Sequence, residues 1–119
     1  MSIPRRQRQW DIYAANLGGG ADVLALVLSS DETNRTLEPQ MLFCEIVPDS
    51  RQPLRESPVS VSVRPADSGL AETAVIDVPS MASLPRGCLV SLEGRLESVP
   101  IRVAVLRAVE IMVGLAAWP

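Results

Sequence analysis

Apolar runs separated by polar or glycine-containing loops divide the chain into six predicted strands and one helix. Residues 23–28 (VLALVL) are apolar throughout, which is typical of a central strand covered on both faces. Residues 59–64 (VSVSVR) alternate instead, which indicates a half-exposed strand with Ser60, Ser62 and Arg64 on its polar face. The predicted strands are residues 9–17, 23–28, 40–47, 59–64, 73–78 and 88–97. In the last of them, Gly94 predicts a bulge or a close backbone approach.

The segment from residue 99 to 116 is predicted to be a helix, with Ser98 as its N-cap and Pro100 in its first turn. One face of that helix carries Ile101, Val105, Val109, Met112 and Ala116. The opposite side, which holds Arg102 and Glu110, also carries Val103, Leu106 and Val113. A helix that is apolar on both sides is usually covered on both, so we expect a homodimer in which this helix contacts the partner subunit.

A chain of 119 residues has the size of one domain, so residues 1–119 are predicted to fold as a single unit. Strands come first and the strong helix last, which favours a mainly β fold with α, a small antiparallel barrel closed by the C-terminal helix. The N-terminus lacks a signal peptide, and charged residues interrupt the apolar C-terminal stretch. We therefore expect a cytoplasmic protein without a membrane span.

The composition excludes several kinds of chemistry, because all 11 basic residues are arginine and the chain has no lysine and no histidine. No Schiff base, imidazole base or histidine-ligated zinc site is therefore possible. Asp31, Glu32, Asp49 and Asp77 lie at strand ends, and no spacing groups three carboxylates as metal ligands, so neither a metal nor another cofactor is predicted. We interpret Cys44 and Cys88, which lie inside apolar runs, as buried thiols.

Arginine is thus the only cation available to bind nucleic acid, and the net charge of -3 provides no global attraction. Two groups stand out, Arg5, Arg6 and Arg8 near the start, and Arg51, Arg55 and Arg64 around the third loop. Both groups also fit the ordinary interpretation of solvated surface arginines. The glycines at 18–20 form a hinge, because they lack the GK[ST] ending of a phosphate-binding loop.

Several segments, in order, resemble the MazF/PemK toxins of bacterial toxin-antitoxin pairs. Residues 9–13 (QWDIY) are similar to that family's RGDIY or RGDVY start, and residues 23–31 with Asn34 and Arg35 resemble its RPVLV…ND…NR stretch. Residues 41–47, 84–90 (LPRGCLV) and 105–115 resemble its third strand, its LPxxSVV strand entry and its closing helix.

This resemblance implies an SH3-like barrel, a homodimer, and metal-independent cleavage of single-stranded RNA by an endoribonuclease. It also implies a MazE-like antitoxin that lies in the RNA groove. In such a reaction the neighbouring 2′-OH attacks the phosphate, so a proton acceptor, a proton donor and a cation are needed. Arginine can supply the cation.

The departures from the family fall at its catalytic positions. Val23 stands where the family has its catalytic arginine, Val47 where it has serine or threonine, and Gly94 where it has glutamine. Weakened catalysis is therefore expected, with Arg35, Arg51 and Asp49 as the candidates for replacement catalytic residues. The positions that the resemblance places at the RNA or antitoxin are Asp11, Gly20, Asp22, Ser29, Arg55 and Glu93.

Two other functions remain open at this point. One is a non-catalytic inhibitor of DNA gyrase similar to the CcdB toxins, with residues 114–118 as the contact. The other is a relative that only sequesters antitoxin.

Overall fold

Six strands form one antiparallel sheet in the computed structural model, which describes residues 7–36, 40–51 and 57–115. The strands are β1 (Asp11–Ala15), β2 (Val23–Val27), β3 (Gln40–Pro48), β4 (Ser60–Val63), β5 (Ala74–Pro85) and β6 (Leu89–Arg95). The helices are α1 (Asp31–Thr36), α2 (Pro65–Ser68) and α3 (Val99–Met112), with a 3-10 turn at Arg86–Cys88. The order across the sheet is β4-β5-β3-β2-β1-β6, so β4 and β6 are its edges.

The short helix α2 lies in the gap between these two edges. It follows β4 directly, and the carbonyl of Ser68 lies against Gly94 of β6. The amide of Glu97 donates to the carbonyl of Asp67 at 3.1 Å. The barrel-like arrangement of strands and closing helix is therefore confirmed. Among the described residues, however, the sheet is not closed by backbone hydrogen bonds, because α2 takes the place of a β4–β6 ladder.

Alternation along the central strands buries side chains on both faces of the sheet. The main core gathers Ile12, Leu26 and Ile46 with residues of β5 and the inner face of α3. Tyr13 and Phe43 belong to a second cluster on the opposite face. All five residues of β1 are buried.

The boundaries of α3 follow from its caps. The Ser98 hydroxyl accepts from the amide of Ile101 at 3.3 Å, which confirms the predicted N-cap. The helix ends at Met112 rather than at residue 116, because Gly114 takes a φ of 81°. The amide of Leu115 then donates to Glu110 at 2.8 Å and that of Gly114 to Ile111 at 3.2 Å, the pattern that satisfies the last carbonyls of a helix.

Only one side of α3 is covered by the described chain. Val105, Ala108 and Ile111 are buried, whereas Met112, which we predicted on the covered face, is 41% exposed. Val103 and Val113 are 59% and 58% exposed. Ala116, also predicted on the covered face, lies outside the described residues.

Three further strand predictions have clear outcomes. β5 continues to Pro85, beyond the predicted residue 78, since its second half pairs with Gln40–Phe43 of β3 after an irregular register. Ile12 of β1 pairs with Gly94 of β6, and the next residue, Tyr13, pairs with Leu92. Glu93 of β6 is therefore an extra, bulged residue. Both predicted properties of Gly94 are confirmed, since it also lies in close approach to Ser68.

The two cysteines differ. Cys44 is buried, as predicted, and burial together with the nearby Asp77 carboxylate raises the pKa of its thiol to about 12. Cys88 is only half-buried, because it lies in the 3-10 turn rather than inside a strand.

Candidate functional site

The two valines at the family's catalytic positions lie at the same end of the sheet and on the same face. In the β2–β3 ladder Leu24 pairs with Ile46, and the next step of that ladder places Val23 beside Val47. Leu24 and Ile46 face the main core, so alternation turns both valines to the opposite face. Val47 is 9% exposed and Val23 is half-buried.

A small pocket of about 110 Å³ adjoins Val23 on this side of the sheet. Its walls are mainly apolar, and Glu45 and Ser80 are its polar residues. Arg51 Nη1 lies 3.6 Å from Glu45 Oε2, so a carboxylate and a guanidinium lie beside the position of the missing arginine. We call this region, defined by Val23, Val47, Glu45 and Arg51, the valine site.

The turn after β3 brings two of the candidate catalytic residues to this end of the sheet. Asp49 is exposed, and its amide donates to Thr73 at 3.1 Å. The amide of Arg51 donates to Pro48 at 3.0 Å. Ser50 lies between them and is the first hydroxyl after β3, because the strand extends through Pro48. It donates to Glu72 at 2.8 Å.

Arg35 is not brought to the valine site. Val23 is the first residue of β2, whereas α1, which carries Arg35, comes after Val27, the last residue of β2. Four residue steps of strand separate the two ends, about 13 Å at a rise of about 3.3 Å per residue. The Arg35 guanidinium also pairs with Glu32 one turn earlier in α1. The structure therefore favours Arg51 over Arg35 as the cation nearest to Val23.

Two residues that the resemblance places at the ligand are buried inside the protein. Asp11 is 0% exposed, pairs with Arg95 at 2.9 Å and accepts from the amide of Arg8 at 3.0 Å. The Ser29 hydroxyl bonds to Asn34 and accepts from the amide of Leu42 at 3.1 Å, which fixes the start of α1. Both therefore have structural contacts in place of access to a ligand.

The other predicted ligand positions are open to solvent or lie outside the described chain. Gly20 and Asp22 are exposed in the β1–β2 loop, at the end of the sheet that holds Val23. Glu93 is exposed at the β6 bulge. Arg55 lies outside the described residues.

A larger cleft of about 390 Å³ lies on the Leu24 face of the same sheet end. It is lined by Leu24, Pro48, Gly69, Leu70, Ala71, Glu72, Ala74 and Glu93. Among the described residues, its charged lining groups are the carboxylates of Glu72 and Glu93. We call it the acidic cleft. The valine site and the acidic cleft thus adjoin the same strand ends on opposite faces of the sheet.

Neither Glu45 nor Glu72 was identified from the sequence. For Glu45 a signal existed, since it is the single charge inside the apolar run 41–47. Glu72 gave no signal, because its position depends on how the loop after α2 folds back. Within the described parts of the chain no three Cys, Asp or Glu side chains gather where they could hold a metal ion. In the same residues no helix is long and apolar enough to cross a membrane.

The fold is shared with bacterial toxins of known structure. An endoribonuclease in complex with its cognate antitoxin, from a mycobacterial species, matches with a TM-score of 0.77 and 19% identity over 95% of this chain and 99% of that chain. A second endoribonuclease from a mycobacterial species matches with a TM-score of 0.76 and 16% identity, over 99% of this chain and 100% of that chain. The Mycobacterium tuberculosis toxin MazF-mt6 matches with a TM-score of 0.73 and 20% identity, over 90% of this chain and 99% of that chain.

No family model and no curated protein matches the sequence. At these identities the structural likeness shows the fold, and the predicted MazF-type toxin fold is confirmed at that level.

Proposed function

We propose that this protein is the toxin component of a type II toxin-antitoxin system, a cytoplasmic MazF-like protein whose RNA cleavage is much reduced or lost. The observation that carries the proposal is the likeness, over nearly the whole of both chains, to a toxin solved with its antitoxin. The reduced catalysis is inferred from Val23 and Val47 in the valine site, because neither valine side chain can donate a proton or carry a charge.

The remaining polar groups offer at most a partial replacement. Arg51 could stabilise the developing phosphorane charge, because its exposed pairing with Glu45 contributes only about 0–1 kcal/mol and can be exchanged for a phosphate. Asp49 and Ser50 could exchange protons, and Ser50 is a second candidate for the hydroxyl that the resemblance assigned to position 47. The Arg51 side chain is 51% exposed and its described ion pair is to Glu45, so its guanidinium is less preorganised for the reaction than a buried, fixed arginine would be.

The first prediction concerns RNA cleavage in EDTA. We expect the wild type to cut single-stranded RNA at least about 100-fold more slowly than MazF-mt6, since loss of one preorganised donor typically costs about 10²–10³ in rate. Val23→Arg combined with Val47→Thr should raise the rate. Val90→Arg, which adds the same charge at an exposed β6 position, serves as the matched control.

The mapped ends and three further variants distinguish the outcomes. Slow cleavage with cyclic phosphate ends that disappears in Arg51→Ala would assign the replacement cation to Arg51, and loss in Arg35→Ala would assign it to Arg35. Loss of cleavage in Ser50→Ala alone would assign the catalytic hydroxyl to Ser50. Robust wild-type cleavage that survives both arginine substitutions would contradict the proposed role of the valine site.

The second prediction is a homodimer formed through α3. The helix exposes an apolar stripe of Val99, Val103, Leu106 and Val113, which a monomer would leave in water. Light scattering at micromolar concentration should give twice the 12.8 kDa chain mass. Val103→Glu with Leu106→Glu should give monomers, whereas Ser62→Glu on exposed β4 should not. A wild type of 12.8 kDa would contradict this prediction.

The third prediction concerns the antitoxin. We propose that the groove bounded by residues 18–22 and 48–57 binds an acidic segment of the antitoxin through Arg51 and Arg55. Changing both to Glu should weaken the complex and flatten its salt dependence, because charge pairs across the interface are lost. Arg64→Glu, at an exposed arginine paired with Asp67, is the control. An unchanged affinity would reject this placement.

Gyrase inhibition of the CcdB kind is the second candidate, and one observation favours it. Leu115, just beyond α3, is 80% exposed, so an apolar side chain is presented where that reading places the contact. Growth arrest with intact bulk RNA and inhibited supercoiling would support this candidate over the endoribonuclease.

A further inference from the structure

The acidic cleft is a separate surface from the valine site. Leu24 lines the cleft and faces the main core, whereas Val23 and Val47 lie on the other face of the sheet. A volume of about 390 Å³ falls within the range of about 300–1,000 Å³ that is usual for ligand pockets. The cleft is therefore large enough for a side chain or a short segment of a partner.

The wall of the cleft is built by a close backbone contact. An ideal Cβ placed on Gly94 would lie 2.2 Å from the Ser68 carbonyl oxygen, so only glycine lets α2 approach β6 this closely. Ser68 is 1% exposed, and its hydroxyl donates to Arg64 at 3.2 Å and accepts from Leu70 at 3.1 Å. The segment from Gly69 to Glu72 is thereby held as a fixed wall.

The two carboxylates at the cleft have no described cationic partner. Glu72 accepts from the amide and the hydroxyl of Ser50, each at 2.8 Å, which fixes its orientation without neutralising its charge. Glu93 is placed at the cleft by the β6 bulge. Neither forms an ion pair with the described residues.

The arginines that neighbour these elements along the chain face other carboxylates. Arg51 pairs with Glu45 at 3.6 Å, Arg64 with Asp67 at 3.5 Å and Arg95 with Asp11 at 2.9 Å. Among the described residues, the cleft therefore presents two carboxylates without a cationic partner over an aliphatic floor. An RNA phosphate would be repelled there, while an arginine or lysine has both the charge and the apolar stem that this surface fits.

We propose that the acidic cleft binds an arginine or lysine side chain of the antitoxin, with the aliphatic stem on the half-buried Leu24 and Leu70 and the charge between Glu72 and Glu93. This inference rests on the proposed function for the identity of the partner. A basic residue here and an acidic segment at Arg51 would together fix the register of the antitoxin on the toxin.

The cleft is tested directly with a small probe, which needs no antitoxin. N-acetylarginine amide at millimolar concentration should shift the amide NMR signals of Gly69, Ala71 and Ala74, and its uncharged citrulline analogue should not. The Glu72→Gln/Glu93→Gln variant should weaken the response about tenfold, because it removes both charge-assisted contacts. Glu32→Gln in exposed α1 is the control. Equal shifts with both probes, or the same shifts with a single-stranded RNA, would overturn the inference.

A second experiment, which measures antitoxin binding, distinguishes failure of this inference from failure of the proposed function. The antitoxin encoded beside the gene should bind the wild type, and the double glutamine variant should bind it about tenfold more weakly, because both charge-assisted contacts to the basic side chain are lost. A complex that is unaffected by the double variant overturns the cleft assignment and leaves the function standing. Failure of the wild type to bind contradicts the function, and the arginine probe still decides the chemistry of the cleft.

Discussion

Replacing Arg95 with alanine should remove a large part of the stability of this protein. Asp11 is 0% exposed and its carboxylate lies 2.9 Å from Arg95 Nη1, so the substitution removes this ion pair from a buried carboxylate. Breaking a buried pair in this way typically costs about 3–5 kcal/mol, against a total of about 5–15 kcal/mol for a domain. Urea unfolding followed by circular dichroism measures the loss.

A second pair provides the control for this prediction. Arg64 and Asp67 also pair, at 3.5 Å, but the Arg64 side chain is 76% exposed, so Arg64→Ala should change the free energy of unfolding by less than about 1 kcal/mol. Arg95→Ala together with Asp11→Asn should recover part of the loss, because the buried negative charge is then removed together with its Arg95 ion pair. Equal effects of Arg95→Ala and Arg64→Ala would show that the Asp11 pair contributes no more than a surface pair.

Gly94→Ala is expected to have a comparably large effect through packing. The new Cβ would lie 2.2 Å from the Ser68 carbonyl oxygen, so α2 must move away from β6. Overpacking of this kind costs about 1–3 kcal/mol, and the backbone partner here cannot rotate aside as a side chain would. We expect about 3 kcal/mol by urea unfolding, and the amide signals of the cleft wall at Gly69 and Ala71 should shift in the same variant.

Gly87→Ala is the matched glycine substitution. No atom outside its neighbours lies within 4 Å of the Cβ that it would add, so its effect should be small. If Gly94→Ala were as stable as Gly87→Ala, the contact between α2 and β6 would not hold the barrel closed.

Local patterns in the sequence were enough to predict the elements, and they failed where pairing partners decide the outcome. The N-cap of α3 and the bulge of β6 depend on neighbouring residues, and both were predicted. The second half of β5 (Ala82–Pro85) has no strong strand pattern, and it forms because β3 offers it a partner. The closure by α2 was missed for the same reason, since it depends on Ser68 meeting a glycine far along the chain.

The site was less predictable than the fold. Arg35 follows β2 closely in the sequence and was therefore a candidate for the site. Val23, however, lies at the opposite end of β2, and the length of the strand separates the two residues. The burial of Asp11 was also hidden, because its partner Arg95 lies on a strand at the other end of the sequence. The sequence position of a charged residue thus does not show which face of the sheet it will occupy, or how deeply it will be buried, until the register of the sheet is fixed.

The entry into β1 carries a consequence for the order of folding. Trp10, at the position where the resembling family has glycine, has a φ of 76°, a conformation that costs a bulky residue about 1–3 kcal/mol. The compensation is non-local, since the indole is 7% exposed in the main core and the Arg102 guanidinium lies 5.5 Å from its ring. If this turn formed early in folding, the unfavourable φ of Trp10 would have to be adopted before its stabilising contacts exist. Those contacts join residues far apart in the sequence, and such contacts form slowly. The turn before β1 should therefore form late, after α3 has docked, and substitutions in it should change the unfolding rate more than the folding rate.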